Sequence, residues 1–263
     1  MGAENYWKHY QNIPIPVAGL SVSPLPVRLQ DWNDFSRICG YLTICEDLLR
    51  KRLKLEESIM LLDYIAMVLL SESEDLESDD TEKNKVLEFS NMLSFAFRLP
   101  VEPLVQRKGK DTRLVFRING SDKDLITRDN YAEVRALIME QNLVHEPLIA
   151  PNAKSQELID KAIARLSRSS SDVETNIESM MVLVSRHRDI DSDSYTYYRL
   201  RADYEMEIRL EQSRAIPTYR AVGADIPPIE LGEVLSMHTN PYSKEKLFKR
   251  NDRAKDATAL SAR

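Results

Sequence analysis

Between Val101 and Thr127 the chain reads VEPLVQRKGKDTRLVFRINGSDKDLIT, and its apolar residues keep a different period from the sequence on either side. Leu114, Phe116 and Ile118 alternate with Val115 and Arg117, the period of two that gives an extended strand one apolar face. Three short apolar runs, Pro103–Arg107, Thr112–Ile118 and Asp124–Ile126, are bounded by Lys108-Gly109-Lys110-Asp111 and by Asn119-Gly120. Asn-Gly favours the primed turn of a tight hairpin, because both of its central residues must reach positive φ. The stretch predicts a three-stranded antiparallel β-meander over 101–127.

On both sides of it the period is that of a helix. Asp31 is placed to cap a helix whose stripe is Trp32, Phe35, Ile38, Cys39, Leu42, Cys45 and Leu49, in steps of three and four. A second helix is predicted over about 55–70. Ile59, Leu62, Ile65, Ala66 and Leu69 lie on one side and Met60, Tyr64, Met67 and Val68 extend its apolar surface, so it reads as central. A third runs over about 81–99, carrying Leu87, Phe89, Met92, Leu93, Phe95 and Phe97, and Pro100 ends it. After the meander, Asp129-Asn130 opens a helix to Leu143 with Tyr131, Val134, Leu137, Ile138 and Gln141 on its face, and Pro147 and Pro151 form the break. Ser155–Arg168 follows, with Leu158, Ile159, Ala162, Ile163 and Leu166 as its apolar side. Ser171-Asp-Val-Glu174 has the form of a capping box for a helix to about Ser185. A helix over 194–214 with Tyr197, Leu200, Tyr204, Ile208 and Glu211 on one face, and a short one over 230–237, complete the set.

The fold class predicted is mainly α: a multi-helix protein with a small antiparallel β-meander between two helical regions, 31–100 and 128–240. The expected core is Phe35, Leu42, Leu62, Ile65, Phe95, Leu137, Ile138, Ile163 and Leu200. Residues 1–30 hold Pro14, Pro16, Pro24 and Pro26 among Ile13, Ile15, Val17, Leu20, Val22, Leu25, Val27 and Leu29. Proline biases the backbone towards extension, so this reads as an extended arm packed on the body or on a neighbour. Residues 71–82 carry seven acids from Glu72 to Glu82 with no base among them, which predicts an exposed, mobile loop. The last segment, 241–263, has seven bases against three acids and few apolar residues, which predicts a basic mobile tail.

Composition narrows function by exclusion. The 263 residues are 43% hydrophobic and 30% charged with a net charge of −6, the balance of a globular protein without a basic nucleic-acid footprint. Only 7 are glycine, and the nearest two, Gly223 and Gly232, are nine residues apart. No GxGxxG, GxxxxGK[ST] or GxSxG can exist, since each needs closely spaced residues without Cβ to wrap a phosphate or expose a nucleophile. The 4 histidines, His9, His145, His187 and His238, are too far apart for HExxH or any local pair. Cys39 and Cys45 are the two cysteines and read as reduced and buried, hence intracellular. The first ten residues, MGAENYWKHY, carry no secretory pattern, and the longest apolar run, Ile59–Leu70, is too short to span a membrane.

Four candidates for chemistry remain, each with a plainer reading. His145, His187 and His238 fall near predicted helix ends, where imidazole can donate to orphan carbonyls. Asp189-Ile-Asp191-Ser-Asp193 begins like a calcium loop. Ser194 stands where the turn glycine belongs and Leu200 where the bidentate glutamate belongs, so capping of the next helix is the better reading. The acidic run lacks the same two residues. Tyr195, Tyr197, Tyr198, Tyr204 and Tyr219 are interleaved with Arg199, Arg201, Arg209, Arg214 and Arg220, a composition shared by cores, protein interfaces and base-stacking surfaces. Asp191, Asp193, Asp203, Glu205 and Glu207 dilute any positive face there. No catalytic, cofactor-binding, metal-binding or partner-binding residue is assigned, no cofactor is expected, and the chain reads as a non-enzyme.

Three stretches resemble a family of tail assembly chaperones of tailed bacteriophages that infect Gram-positive bacteria. They are Pro26–Phe35, Thr127–Leu143 with the Glu146-Pro147 exit, and Ser194–Tyr204 with Asn240-Pro-Tyr242 near the end. The acidic run and the basic tail have no counterpart in the resemblance. It implies a helical, non-enzymatic morphogenesis protein that binds the long coiled tape measure protein, or other tail proteins, in the host cytoplasm before the tail tube forms. The residues themselves predict no membrane association and disfavour nucleic acid as a partner, and they fix no oligomeric state. A structural subunit of the virion, in the tail or baseplate, is the alternative.

Overall fold

The computed structural model describes residues 5–44, 60–71, 82–108, 111–150, 152–169, 176–223, 228–229, 235–238, 240 and 243, and in it the period-two stretch forms a sheet. β1 (Val101–Lys108) pairs antiparallel with β2 (Asp111–Ile118), from Val101 opposite Ile118 to Lys108 opposite Asp111. β2 pairs antiparallel with β3 (Asp124–Ile126), giving the order β1-β2-β3. The Asn119-Gly120 turn differs from the primed hairpin expected. Only Gly120 has positive φ, +78°, and Ser121 N–H donates to the Ile118 carbonyl at 2.9 Å. The Asn119 amide is held by the Pro100 carbonyl at 2.9 Å, so the loop runs on to Lys123 and pairing resumes with a register shift between Phe116 and Arg117.

Helices α1 (Tyr6–Tyr10), α2 (Trp32–Ile38), α3 (Leu61–Ser71) and α4 (Glu82–Phe97) precede the sheet. Helices α5 (Tyr131–Gln141), α6 (Ala153–Ser169), α7 (Ile177–Val184) and α8 (Tyr197–Ala221) follow it. The fold is therefore mainly α, with a small meander between two helical regions. The chain divides into two compact units, Met1–Val144 with Thr175–His238, and His145–Glu174 with Thr239–Arg263.

In the first unit the core gathers on the apolar face of the sheet. Phe116, Leu114 and Ile126 are buried with Phe89, Met92 and Leu93 of α4, Leu62 and Ile65 of α3, and Tyr131, Val134 and Ile138 of α5. The Phe89 ring stands 5.6 Å from Phe116 and 6.5 Å from Tyr131, centroid to centroid, in tilted contacts that suit aromatic quadrupoles. Two serines tie α4 to β1 across Pro100. Ser90 Oγ donates to the Val101 carbonyl at 2.6 Å, and Ser94 Oγ accepts from the Val101 amide at 2.9 Å. A second cluster, Leu29, Met180, Val184, Tyr195 and Leu200, joins α7 to the start of α8.

Several expectations shift. The helix predicted to run from an Asp31 cap to Leu49 stops at Ile38, gives a 3-10 turn over Cys39–Thr43 and turns extended at Ile44. Arg135 Nε takes the Leu42 carbonyl at 2.6 Å, and Gly40 and Thr43 are weak helix formers, so tertiary bonding replaces the next helical turn. Cys45 and Leu49 lie outside the described residues, as do the acidic run from Glu72 to Thr81 and nearly all of the basic tail. Among the expected core residues, Phe95 and Ile163 are half-buried and the other seven are buried. The Ser171–Glu174 box also lies outside, and α7 is capped by Asn176, whose side chain accepts from Ser179 N–H at 2.7 Å. The α8 cap is Thr196, accepting from Arg199 N–H at 3.2 Å, and the helix continues through Pro217 to Ala221.

In the second unit α6 starts at an Asn152 cap that accepts from Ser155 N–H at 2.9 Å, while Gln156 Oε1 reaches back to Ala150 N–H at 2.9 Å. Ala150 and Ile159 are buried there against Leu148, Ala162 and Ile163. Leu158, expected on this face, is 57% exposed.

The segment expected to be an extended arm is not extended throughout, since Tyr6–Tyr10 form α1, and its proline-rich part packs within the first unit. Gln141 Nε2 donates to the Pro24 carbonyl at 3.0 Å and Leu25 N–H to the Ala96 carbonyl at 2.8 Å. Arg98 Nη2 donates to the Pro26 carbonyl at 3.0 Å, and Asn142 Oδ1 accepts from Val27 N–H at 2.9 Å. Leu29 N–H then donates to the Tyr195 carbonyl at 2.8 Å. Asn142 is 1% exposed and also donates to the Ile138 carbonyl at 2.8 Å. Asn142→Leu is expected to strand the Val27 amide and to lower stability by about 1–3 kcal/mol. Phe116→Ala should cost about 3–5 kcal/mol. Urea unfolding checks both as a drop in midpoint at constant slope, and an unchanged midpoint for Asn142→Leu would show that the arm contributes nothing to the body.

Candidate functional site

Asp203, on α8, is 3% exposed and is surrounded by donors from three other parts of the chain. Oδ1 accepts from Tyr10 Oη of α1 at 2.8 Å and lies 3.1 Å from Arg188 Nη1, in the loop after α7. Oδ2 accepts from Tyr195 Oη, just before α8, and lies 3.9 Å from Arg199 Nε. Arg188 Nη1 also donates to Tyr10 Oη at 2.9 Å. The Arg199 guanidinium sits over two rings, 4.7 Å from the Tyr195 centroid and 5.2 Å from that of Tyr10, in cation–π contact. Burial, then the hydrogen bond to Asp203, pushes the Tyr10 and Tyr195 phenols up, so both stay protonated and donate. Burial pulls Arg188 down, but Asp203, Tyr10 and Tyr195 outweigh it and raise its pKa. With both oxygens occupied by structural donors, Asp203 acts as a staple joining α1, the 188 loop and α8.

Beside this staple a cavity of about 300 Å³ opens. Tyr198, Ala202 and Met206 of α8 form one wall, and Leu235, Met237 and His238 form another. Tyr6 stacks flat on His238 at 3.6 Å, and the Tyr198 hydroxyl lies 3.3 Å from His238 Nε2. Met237 N–H donates to Glu205 Oε2 at 3.0 Å, which fixes the second wall to α8. Behind Tyr198 lies His9, fully buried on α1, with its Nε2 3.4 Å from Glu140 Oε1. Neither His9 nitrogen completes a hydrogen bond within the described residues.

The tyrosine and arginine set seen in the sequence divides between roles. Tyr195 and Tyr198 are buried, and Tyr197 stacks on Trp32 at 3.6 Å. Tyr219 is 52% exposed, and Arg209 pairs with Glu205 at 2.9 Å. In the sequence Asp203 is one acid among several that dilute the positive charge, whereas in the structure it is the hub of the set. The aspartates of 189–193 do not cap α8. Asp191 instead accepts Asp193 N–H on its side chain at 3.2 Å and Tyr195 N–H on its carbonyl at 2.7 Å. The His187 ring lies 3.9 Å from Glu207 Oε2, and the His238 ring meets Tyr6 and Tyr198. Among the described residues no group of three or more His, Cys, Asp or Glu is placed to hold a metal ion, and no helix is long and apolar enough to cross a membrane.

The methionines also divide. Met92 is fully buried, while Met60, immediately before α3, and Met67, within it, are 44% and 46% exposed.

Asp203→Asn keeps the shape but removes the charge beside Arg188 and Arg199, and should cost about 3–5 kcal/mol in urea unfolding. His9 gives a pH signature. Burial holds its pKa below the ordinary 6.5, with Glu140 opposing and Lys8 adding. The unfolded chain therefore binds the proton first, so this contribution to stability is complete above pH 6.5 and is lost as pH falls below it towards the folded-state value. Unfolding free energy measured from about pH 7 to 5 should fall more steeply for the wild type than for His9→Gln. Parallel slopes would show that His9 carries no such linkage.

Comparison with protein-family models, with curated proteins and with solved structures finds no match to this chain.

Proposed function

We propose that this protein is a non-enzymatic tail assembly chaperone of a tailed bacteriophage, acting in the host cytoplasm on the tape measure protein. The resemblance at Pro26–Phe35, Thr127–Leu143 and Ser194–Tyr204 suggests the family, and one structural observation supports partner binding. Met60 and Met67 are seven residues apart, two helical turns, and both are nearly half exposed. Tyr64 lies between them, half-buried, and its amide donates to the Met60 carbonyl at 3.1 Å. On the neighbouring helix α4, Leu87 is 45% exposed. Methionine's unbranched thioether adapts to differing apolar side chains, which suits a surface that receives successive turns of a long amphipathic helix. The seven acids between Glu72 and Glu82 follow this helix in sequence and favour solubility of a chain that exposes apolar side chains.

Coexpression with the tape measure protein of the same genome should keep the latter soluble, and pull-down at moderate salt should retain its fragments. Met60→Glu with Met67→Glu should abolish retention while leaving stability within about 0.5 kcal/mol, since both side chains are at the surface. Equal retention by the folded double variant would remove α3 as the binding face. No retention of any fragment by the folded wild type would remove the chaperone reading. Detection of the protein in purified particles by mass spectrometry would then favour the virion subunit.

A further inference from the structure

The cavity beside Asp203 has the makings of a ligand site that does not depend on the chaperone reading. Its volume, about 300 Å³, is at the lower end for small-molecule pockets and suits one aromatic side chain with a short polar appendage. Its walls offer rings and thioethers: Tyr198, Met206, Met237 and the stacked Tyr6–His238 pair. At the polar end one carboxylate, Asp203, serves two guanidiniums, Arg188 and Arg199. The phenols of Tyr10 and Tyr195 are neutral donors to that carboxylate, so the cluster keeps one uncompensated positive charge. Arg188 lines the cavity, is 41% exposed, and engages only Nη1, with Tyr10 and Asp203. Its Nη2 and Nε have no hydrogen-bond partner among the described residues, and together they present the fork that receives a carboxylate in two parallel bonds. We propose that this cavity binds a carboxylate attached to a single aromatic group, with the ring among Tyr198, Met206 and Met237 and the carboxylate on Arg188.

That chemistry could come from the C-terminal residue of a polypeptide or from a free aromatic acid, and two probes separate them. N-acetyl-L-phenylalanine carries the acylated amide of a chain end, and 3-phenylpropionate lacks it. Full-length protein labelled at its methionine methyls reports the cavity through Met206 and Met237, with the exposed Met60 and Met67 as internal controls. Saturable shifts of Met206 and Met237 by either acid, with a dissociation constant on the order of 0.1–1 mM, are expected, and the tighter probe identifies the source. N-acetyl-L-phenylalaninamide, which has lost the carboxylate, should bind at least about tenfold more weakly. Arg188→Gln should weaken both acids by about tenfold. Met206→Phe, which fills the cavity without touching the charges, should abolish binding and makes the test independent of whether Arg188→Gln folds. The proposal is overturned if neither acid saturates by about 10 mM, if the amide binds as tightly as the acid, if Met206→Phe binds normally, or if only Met60 and Met67 respond.

Discussion

Five residues of extended chain, Pro24 to Arg28, and Leu29 at the start of the 3-10 turn that follows, hold the first unit together. The two prolines remove amide donors at alternate positions, which leaves the amides of Leu25, between them, and Val27, just after them, as donors. Those two go to the Ala96 carbonyl and to Asn142 Oδ1, and the proline carbonyls are met by Gln141 and Arg98. Leu29 N–H then reaches the Tyr195 carbonyl, and Arg28 pairs with Thr196 as an isolated bridge. The segment thus bonds to the ends of α4 and α5 on one hand and to the start of α8 on the other. An extended strand with no ladder of its own is acceptable in the interior only because every polar group of its backbone named here has a partner.

The ends of α4 and α5 are shaped for this task. Arg98 and Leu143 sit just past the two helices with φ of +54° and +55°, a left-handed conformation that costs a non-glycine residue about 1–2 kcal/mol. At α5 the amides of Val144 and Leu143 return to the carbonyls of Met139 and Glu140, at 2.9 and 3.4 Å, the Schellman pattern. The reversal sets Asn142, fully inside, against Val27, and at α4 it sets Arg98 against Pro26. Local strain at two helix ends is offset by the hydrogen bonds that the arm supplies.

The elements whose signal is local were legible in the sequence. Alternation at 114–118 marked the sheet, and the stripes of α3, α4, α5, α6 and α8 marked the helices. Where the structure departs, a distant partner decides. Arg135 claims the Leu42 carbonyl across 93 residues, and the helix begun at Trp32 ends at Ile38 and passes into a 3-10 turn over Cys39–Thr43, where the apolar stripe alone would have continued it. Pro100 holds Asn119 and turns a tight hairpin into a longer loop. The site was legible as a composition and not as an arrangement. The tyrosines and arginines of 195–220 were visible, but Tyr10 meets Asp203 across 193 residues and Arg188 meets Tyr10 across 178. No spacing rule within one helix reaches that far. Leu158, by contrast, fitted a helical stripe and lies exposed, because α6 has only a small cluster to pack against.

The two candidate recognition surfaces differ in how they are held. Around Asp203 each group is fixed by another: two phenols, two guanidiniums and a carboxylate lock α1, the 188 loop and α8, so the adjoining cavity is pre-organised and little ordering is left for a ligand to bring about. At the start of α3 and along it, the exposed side chains of Met60 and Met67 have three rotatable bonds each, and no rigid ring or fork fixes their shape. A rigid pocket with one surplus charge discriminates by shape and by a single carboxylate, whereas a flexible apolar stripe accepts many similar side chains and selects weakly among them. A long helical partner needs the second kind of surface, because each of its turns presents a different side chain to the same place. The chemistry of the first kind fits a feature that occurs once per partner, and a chain end is such a feature.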